Sequence, residues 1–570
     1  MRVSDYIIKR IYEAGAKHIF MVTGGGCMGL NDAIAVNKDI IPICNHHEQA
    51  SAMAAVGTAK YTNNLSAVCV TSGCGGTNTM TGVLEAWQDS VPVIFLSGNV
   101  NLQHMSMHKV SSLGPQEAHI VDVARPITKY ATVVEDASEV ERIMDEAIRM
   151  ATTGRPGPVW VDVPLNIQNA PYVDPCEEVG KMLAQAERPL IVAGNGINCA
   201  KGRKDFINFV NKTQMPVATT YNGIDLIPSD HPLFVGRVGI KATRAGNFAM
   251  QNSDLLLVIG CRMPVSVTGY NYNDFAREAK VVVVDVDKEE HSKDTIKIDN
   301  FINMDAKEFM KRVPVPPPTM TLAAWSKQCL KWREQWPICL KENGDGDRIN
   351  LYYFMDRLNE LKRSDDVVVA DAGSAFYVCA QSTFIRDKQR YITSSSQGDM
   401  GFTLPACIGV ALAREGDVIG ISGDGSLPFN VQELQTIVHH NLPVKLFVWN
   451  NDAYLSIRNT QDRFFEGRHI GTTPKSGVSL PSVEKIADSY GIPYLYADLS
   501  NLDESIINTI NHDGPVICEV MCKIKQEVIP TLMGKLNEDG SMTPKPLEDL
   551  YPFLSREELN SNMIVEPLKE

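Results

Sequence analysis

Two polar groups spaced to meet at neighbouring strand tips are the most informative feature of this 570-residue chain. Gly423-Asp424-Gly425-Ser426 follows an apolar run ending at Ile421, and Asn450-Asn451 follows the next strong run, 444–449. The two motifs stand 24 residues apart, which leaves room for a helix over 428–440 and a returning strand. A carboxylate from Asp424 and an amide oxygen from Asn451 form a hard oxygen site suited to Mg²⁺ or Ca²⁺. Mg²⁺ would keep positions open for phosphate oxygens, with Gly425 and Ser426 supplying amides at the helix start. A Gly-Asp-Gly alone reads more often as a structural turn. The spacing to Asn450-Asn451 is what makes it chemical.

A second carboxylate stands at the start of a small-residue helix, in Asn45-His-His-Glu48-Gln-Ala-Ser-Ala-Met-Ala-Ala55. A glutamate there is often only a favourable partner for the helix dipole.

Elements that position such groups run the length of the chain. Continuous apolar runs at 66–71, 92–96, 189–193, 254–259, 281–285, 366–370, 417–421 and 444–448 alternate with Gly-rich turns and helical stretches. That pattern predicts parallel sheets covered on both faces, with ligands outside the carboxyl ends of the strands. The fold class expected is α/β, with three doubly wound parallel-sheet domains over 1–165, 185–312 and 345–530. A mostly polar break over 166–184 and a stiff proline linker, Val313-Pro-Val-Pro-Pro-Pro-Thr319, separate them. The linker region extends over 313–344. The tail, 531–570, reads as polar and irregular, then helical near Ser555-Arg-Glu-Glu-Leu559, where Ser555 and Glu558 have capping-box spacing.

Composition excludes several classes. With 54 basic and 68 acidic residues the net charge is −14, so no basic nucleic-acid footprint exists and no nucleic-acid partner is expected. Thirteen cysteines occur without a CxxC pair, as expected of thiols in a reducing cytoplasm. The N-terminus places charges inside its apolar run and reads as an amphipathic helix from about Ser4, not a signal peptide. No apolar run reaches about 18 residues, so no membrane span is expected.

Read together, Gly-Asp-Gly-x24-Asn-Asn resembles the thiamine diphosphate signature. The order of units over about 1–530 is similar to the acetohydroxyacid synthase (acetolactate synthase) family. The motifs that carry the resemblance include Gly24-Gly25-Gly26, His47-Glu-Gln49, Thr71-Ser-Gly-Cys-Gly-Gly-Thr-Asn78, Gln116-Glu117, Arg125-Pro-Ile-Thr-Lys129, Gly154-Arg-Pro-Gly-Pro158, Gly398-Asp-Met-Gly-Phe402, Leu404-Pro405 and Asn430-Val-Gln-Glu-Leu434. The resemblance implies that Glu48 bonds the cofactor's pyrimidine and activates it. It assigns Asp424, Asn451 and the carbonyl of Ala453 to Mg²⁺, Met400 to the wedge that bends the cofactor, and Gln116 to the reacting centre. Gly24–Gly26, Ala372, Gly373, Gly398, Gly425, Ser426, Tyr454 and Leu455 complete the cofactor positions. The family brings the Glu48 and Asp424 motifs together across a subunit interface, which implies a homodimer or homotetramer.

The middle unit resembles the part of that family that binds FAD in a non-redox role, through Gly194, Gly196, Thr220, Gly260, Arg262 and Asp285. One departure is that the family's Asp-Asp-Arg is Pro264-Val265-Ser266.

Other departures lie on the acceptor side. Where the family has a tryptophan and, four residues earlier, a methionine, this chain has Thr460 and Ser456, and Pro115 replaces a phenylalanine. These changes widen a pocket and make it more polar, favouring a bulkier, hydroxylated acceptor. The loop carrying His104, His108 and Lys109 is longer than in the synthases and is expected at the mouth of the site. The expected activity is decarboxylation of pyruvate to a bound hydroxyethyl carbanion. The acceptor is a carbonyl, either a second 2-oxo acid or a ketosugar. Release of an aldehyde by a simple 2-oxo acid decarboxylase is the enzymatic alternative. A non-catalytic binding protein is a third reading, which intact Glu48, Asp424 and Asn451 oppose.

Overall fold

A computed structural model describes residues 1–106, 110–452, 454–536 and 542–568. The chain forms two compact units, Met1–Glu178 and Val179–Glu570. The first holds one six-stranded sheet and the second holds two. All three six-stranded sheets are parallel throughout, and the tail adds a two-stranded antiparallel ribbon, Gly534–Leu536 with Met542–Pro544.

The first sheet contains β1 (His18–Met21), β2 (Ile41–Cys44), β3 (Ser66–Val70), β4 (Val93–Asn99), β5 (Tyr130–Val133) and β6 (Val159–Pro164), in the order β2-β1-β3-β4-β6-β5. The middle sheet contains β7 (Pro189–Ala193), β8 (Val217–Thr219), β9 (Phe234–Arg237), β10 (Leu255–Ile259), β11 (Lys280–Asp285) and β12 (Asn300–Asn303), in the order β12-β11-β10-β7-β8-β9. The third contains β13 (Val367–Ala370), β14 (Arg390–Thr393), β15 (Val418–Gly423), β16 (Val444–Asn450), β17 (Tyr494–Ala497) and β18 (Val516–Met521), in the order β14-β13-β15-β16-β18-β17.

First and third sheets therefore share one strand order, and the middle sheet has the order of dinucleotide-binding folds. The order reverses between β1 and β3, between β7 and β10, and between β13 and β15. Loops leave in opposite directions there and open a crevice for a ligand.

The apolar runs are strands because both faces are covered. Every residue of β3, β4 and β6 is buried. Separate apolar clusters line the two faces of the first sheet, around Ile7, Ile19 and Leu96 on one side and Val68, Phe95 and Trp160 on the other. The third sheet is covered likewise, by Phe354, Phe447 and Trp449 on one face and Leu404, Val418 and Leu446 on the other. Among the described residues no helix is long and apolar enough to cross a membrane.

Three expectations need correction. The polar break over 166–184 carries two helices, Leu165–Gln168 and Pro175–Gln185. The second buries Cys176, Val179 and Leu183, a spacing masked by Pro171 and Pro175. The helix expected over 428–440 is a 3₁₀ stretch, Leu427–Glu433, followed by a short α-helix, Leu434–His439. Its break is at Asn430, whose side-chain amide donates to the Gly401 carbonyl at 3.0 Å. The tail is also more ordered than expected. Leu547, Leu550, Leu559 and Val565 are buried, and Ser555 caps the helix Arg556–Asn562.

Within the second unit, polar side chains join the middle and third sheets. Buried Asp225 accepts from Arg390, from the Tyr391 amide at 3.2 Å and from Asn198 at 3.1 Å. Arg237 reaches the carbonyls of Gln381 (2.6 Å) and Thr383. The tail closes on the middle sheet, where Asn247 donates to the Leu547 carbonyl at 2.9 Å and Asn252 accepts from the amides of Ile564 (2.6 Å) and Val565 (3.1 Å).

Candidate active site

In the first unit, Glu48 is the first residue of the helix Glu48–Thr62, whose N-cap His47 accepts from the Gln49 amide. Glu48 is buried, and the Asn78 side-chain amide donates to its Oε2 at 3.0 Å. Asn78 ends the short helix Cys74–Asn78, which with residues 71–73 forms the turn that leaves β3 at the sheet's reversal point. Three glycines of that turn make room for the groups around it. A Cβ on Gly75 would lie 2.9 Å from the Thr71 methyl and 3.7 Å from Glu48 Oε1. A Cβ on Gly73, where φ is +62°, would lie 2.6 Å from the Gln116 carbonyl. Glu48 and Gln116 thus border one turn.

Gln116 itself is exposed, with φ +60°. Its loop is pinned by Glu117, which accepts from the amides of Ser106, Leu113 (2.5 Å) and Gly114 (3.2 Å). Desolvation works against the Glu117 anion, but these bonds outweigh it and hold the carboxyl down at about 2. The Gly24–Gly26 turn after β1 packs on the same region, since the Gly26 amide donates to Thr71 Oγ1 at 3.0 Å and a Cβ on Gly24 would fall 2.4 Å from Thr71. Gly25 faces open space.

His104 is exposed in a 3₁₀ turn, Leu102–His104, beside Asn166. Among the described residues no hydrogen bond or ion pair joins it to Glu48 or Gln116. His108 and Lys109 lie outside the described residues.

In the second unit, the metal-site candidates converge at the carboxyl ends of β15 and β16. Asp424 is 5% exposed, and its carboxylate accepts from the amides of Gly425 (2.9 Å), Asn451 (3.1 Å) and Asp452 (2.7 Å). Burial nevertheless dominates and pushes its pKa up to about 7. Asn451 is 2% exposed, and its Oδ1 has no hydrogen-bond partner. A buried carbonyl oxygen without a donor is costly unless a cation takes it, so the pair fits a hard divalent ion. Ala453 lies outside the described residues.

The expected amides are partly spent within the chain. The Gly425 N–H serves Asp424, and the Ser426 N–H bonds the Gly423 carbonyl at 3.0 Å. Gly425 is required sterically, because a Cβ there would meet the Tyr454 ring at 2.5 Å. Leu455 is buried and opens the helix Leu455–Phe464.

Across the reversal point, Asp371 joins three loops. It accepts from the amides of Ala372 (2.8 Å) and Gly401 (3.0 Å) and from Ser422 Oγ (2.6 Å). It thereby fixes Ala372 and Gly373 after β13 and the loop carrying Met400, which is half-buried. Gly398 and Gly401 have φ of +69° and +81° in that loop. A Cβ on Gly373 would lie 3.2 Å from Ser456 Oγ. Thr460 is exposed one turn further along the same helix, bonded to the Ser456 carbonyl at 3.1 Å.

Comparison with known proteins matches one domain to the middle sheet and one to most of each of the other two. The thiamine pyrophosphate enzyme N-terminal binding domain matches residues 1–119, the central domain 176–313, and the C-terminal binding domain 371–520. The chain is 31% identical to the acetolactate synthase isozyme 2 large subunit of Escherichia coli over 93% of this chain and 97% of that one. It is 29% identical to acetolactate synthase 1 of Nicotiana tabacum and to acetolactate synthase of Arabidopsis thaliana, both chloroplastic, over 93% of this chain and 83% and 82% of theirs. The chain belongs to the acetolactate synthase family of thiamine diphosphate enzymes.

Two residues that position this family member's groups went unread in the sequence. Asn78, the last residue of the motif Thr71–Asn78, holds Glu48. Asp371, directly after the run 366–370, carried a usable signal, an acid beside Ala-Gly at a strand tip.

The middle sheet places Gly194 and Gly260 after β7 and β10, on either side of its reversal point, with Thr220 after β8 and Asp285 ending β11. The glycines serve the chain's own packing. Cβ atoms on Gly194 and Gly196 would fall 2.2 Å from the Gly260 carbonyl and 2.6 Å from its Cα. Asp285 faces His291 at 3.5 Å, and Arg262 bonds Ser396 at 2.9 Å.

Proposed function

We propose that this chain is a carboligase that decarboxylates pyruvate and transfers its two-carbon unit to a carbonyl acceptor larger and more polar than pyruvate, such as a ketosugar. A second 2-oxo acid is the smaller acceptor of the same reaction. The observation that carries this reading is the pairing of a retained apparatus (Glu48 with Asn78, Asp424 with Asn451) with small polar residues at Ser456 and Thr460. When bound, thiamine diphosphate supplies the electron sink for decarboxylation.

The chain's own groups do the rest. Asp424 Oδ and Asn451 Oδ1, both buried, would hold Mg²⁺. Glu48 holds a proton at Oε1 for exchange with the pyrimidine, while Asn78 fixes Oε2. Gln116 stands on the loop bordering the same turn and orients the reacting carbonyl. Ser456 and Thr460 leave space and hydroxyls for the acceptor.

FAD in a non-redox role is proposed for the crevice at β7 and β10. Because the glycines there are spent on loop packing, that proposal rests on Thr220, Arg262 and Asp285. A visible absorption band and flavin released from purified protein would support it. Colourless protein with no extractable flavin would dismiss it.

The smallest active form proposed is a homodimer. Met53, Tyr61, Leu84 and Trp87 expose apolar surface on the helices Glu48–Thr62 and Met80–Gln88, as an oligomer face would. Thirteen free cysteines suit a reducing, cytoplasmic setting.

The deciding experiment offers labelled pyruvate with a panel of 2-oxo acids and nucleotide-linked ketosugars and identifies products by mass. A branched sugar is expected. Fast acetolactate formation with no sugar product would sink the wide-pocket reading, and acetaldehyde alone would make the protein a simple decarboxylase.

A further inference from the structure

Three polar groups on one short stretch of the second unit lack partners. Among the described residues, Asn451 Oδ1, Ser456 Oγ, and Nε and Nη2 of Arg458 are buried and make no hydrogen bond. Arg458 is 3% exposed, while its neighbour Ile457 is 54% exposed, the reverse of the usual preference. Helical spacing explains how this arises. Leu455, Arg458 and Gln461 form the buried side of the helix Leu455–Phe464. Gln461 is held there by the Ile470 carbonyl at 3.0 Å and Thr472 Oγ1 at 3.0 Å.

The unmet needs are opposite in sign. Asn451 Oδ1 is an acceptor awaiting a cation, and Arg458 is a rigid fork of donors awaiting an acceptor. A guanidinium buried without a counter-anion is strongly unfavourable. Asp462, Asp424 and Asp452 lie near enough to favour its charge, yet none forms an ion pair with it among the described residues. A metal with an attached phosphate would meet both needs at once, because the planar fork suits phosphate oxygens.

We propose that Arg458 is a counter-cation for the diphosphate of the cofactor, taking phosphate oxygens that a metal on Asp424 and Asn451 leaves free. The proposal rests on the third sheet being the diphosphate-binding domain of this family.

Calorimetric titration of the full-length protein, at saturating Mg²⁺, with thiamine diphosphate and separately with inorganic pyrophosphate, tests it. Arg458→Gln and Arg458→Met are expected to weaken both ligands about ten- to hundredfold, the loss of a hydrogen-bonded charge, and Arg458→Lys to recover part of it. The ligand-free melting temperature of Arg458→Met should hold or rise, since an unpaired buried charge is removed. Unchanged affinities in both neutral variants would overturn the assignment of Arg458 alone. A wild-type protein that binds no thiamine diphosphate would instead overturn the cofactor reading beneath it.

Discussion

The Asn78 amide donates to Glu48 Oε2 at 3.0 Å and leaves Oε1 above Gly75, so one oxygen is anchored and the other faces the turn. A proton carrier must be held still to act within hydrogen-bond reach. Glu48→Gln should therefore lower turnover of pyruvate by about 10²- to 10⁴-fold, the usual worth of a positioned acid or base. Asn78→Ala should lower kcat by about tenfold with thiamine diphosphate affinity unchanged. Full turnover in Glu48→Gln would remove the activation scheme.

How much of this was legible in the sequence depended on whether the signal was local. Asp424 and Asn451 could be read because their strands are continuous apolar runs and the register places both at strand ends. Asn78 acts on Glu48 from a loop 30 residues away, so no period or spacing announces it, whereas Asp371 is legible as an acid at a strand tip although its partners lie in other loops. The helix expected over 428–440 is α-helical only over Leu434–His439, because Asn430 leaves helical backbone while its side chain ties the segment to Gly401. The helix Pro175–Gln185 was hidden by prolines, one of which is its first residue and costs nothing there.

The raised pKa of Asp424, about 7 and caused chiefly by burial, sets a pH dependence. The folded, metal-free protein keeps a proton that the unfolded chain releases near the ordinary carboxyl value of 3.8. That contribution to stability is complete below the ordinary value and lost as pH rises through about 7. A metal favours the anion and reverses the trend. The rise in melting temperature on adding Mg²⁺ with thiamine diphosphate should thus be larger at pH 8 than at pH 5.5, and Asp424→Asn should abolish the difference. Equal shifts at both pH values would contradict the metal assignment.

Gly425 lies against the Tyr454 ring, where a Cβ would approach to 2.5 Å. Gly425→Ala should displace that ring and weaken metal and cofactor binding at least tenfold, with far-ultraviolet circular dichroism unchanged. Wild-type affinity in this variant would show that the ring can move freely.

Acceptor size is testable at Thr460, exposed beside Ser456. Thr460→Trp should cut transfer to a bulky acceptor by more than tenfold while sparing carbon dioxide release from pyruvate. Equal loss of both would place Thr460 away from the acceptor.

Asp225 is 1% exposed and accepts from Arg390, Tyr391 and Asn198. Asp225→Ala strands these donors, and since Arg390 is half exposed the expected loss is about 2–3 kcal/mol in urea denaturation, below that of a fully buried pair. A loss under about 0.5 kcal/mol, the scale of an ordinary surface substitution, would mean the contact is ornamental.

The tail that returns to the middle sheet through Asn247 and Asn252 works as a buckle. The third sheet enters by the proline linker and leaves by a segment fastened back on its neighbour, so its chain is tethered at both ends to the same partner. Such a closed belt resists hinge opening, and it adds to the bonds that Asp225 and Arg237 make directly to the third sheet.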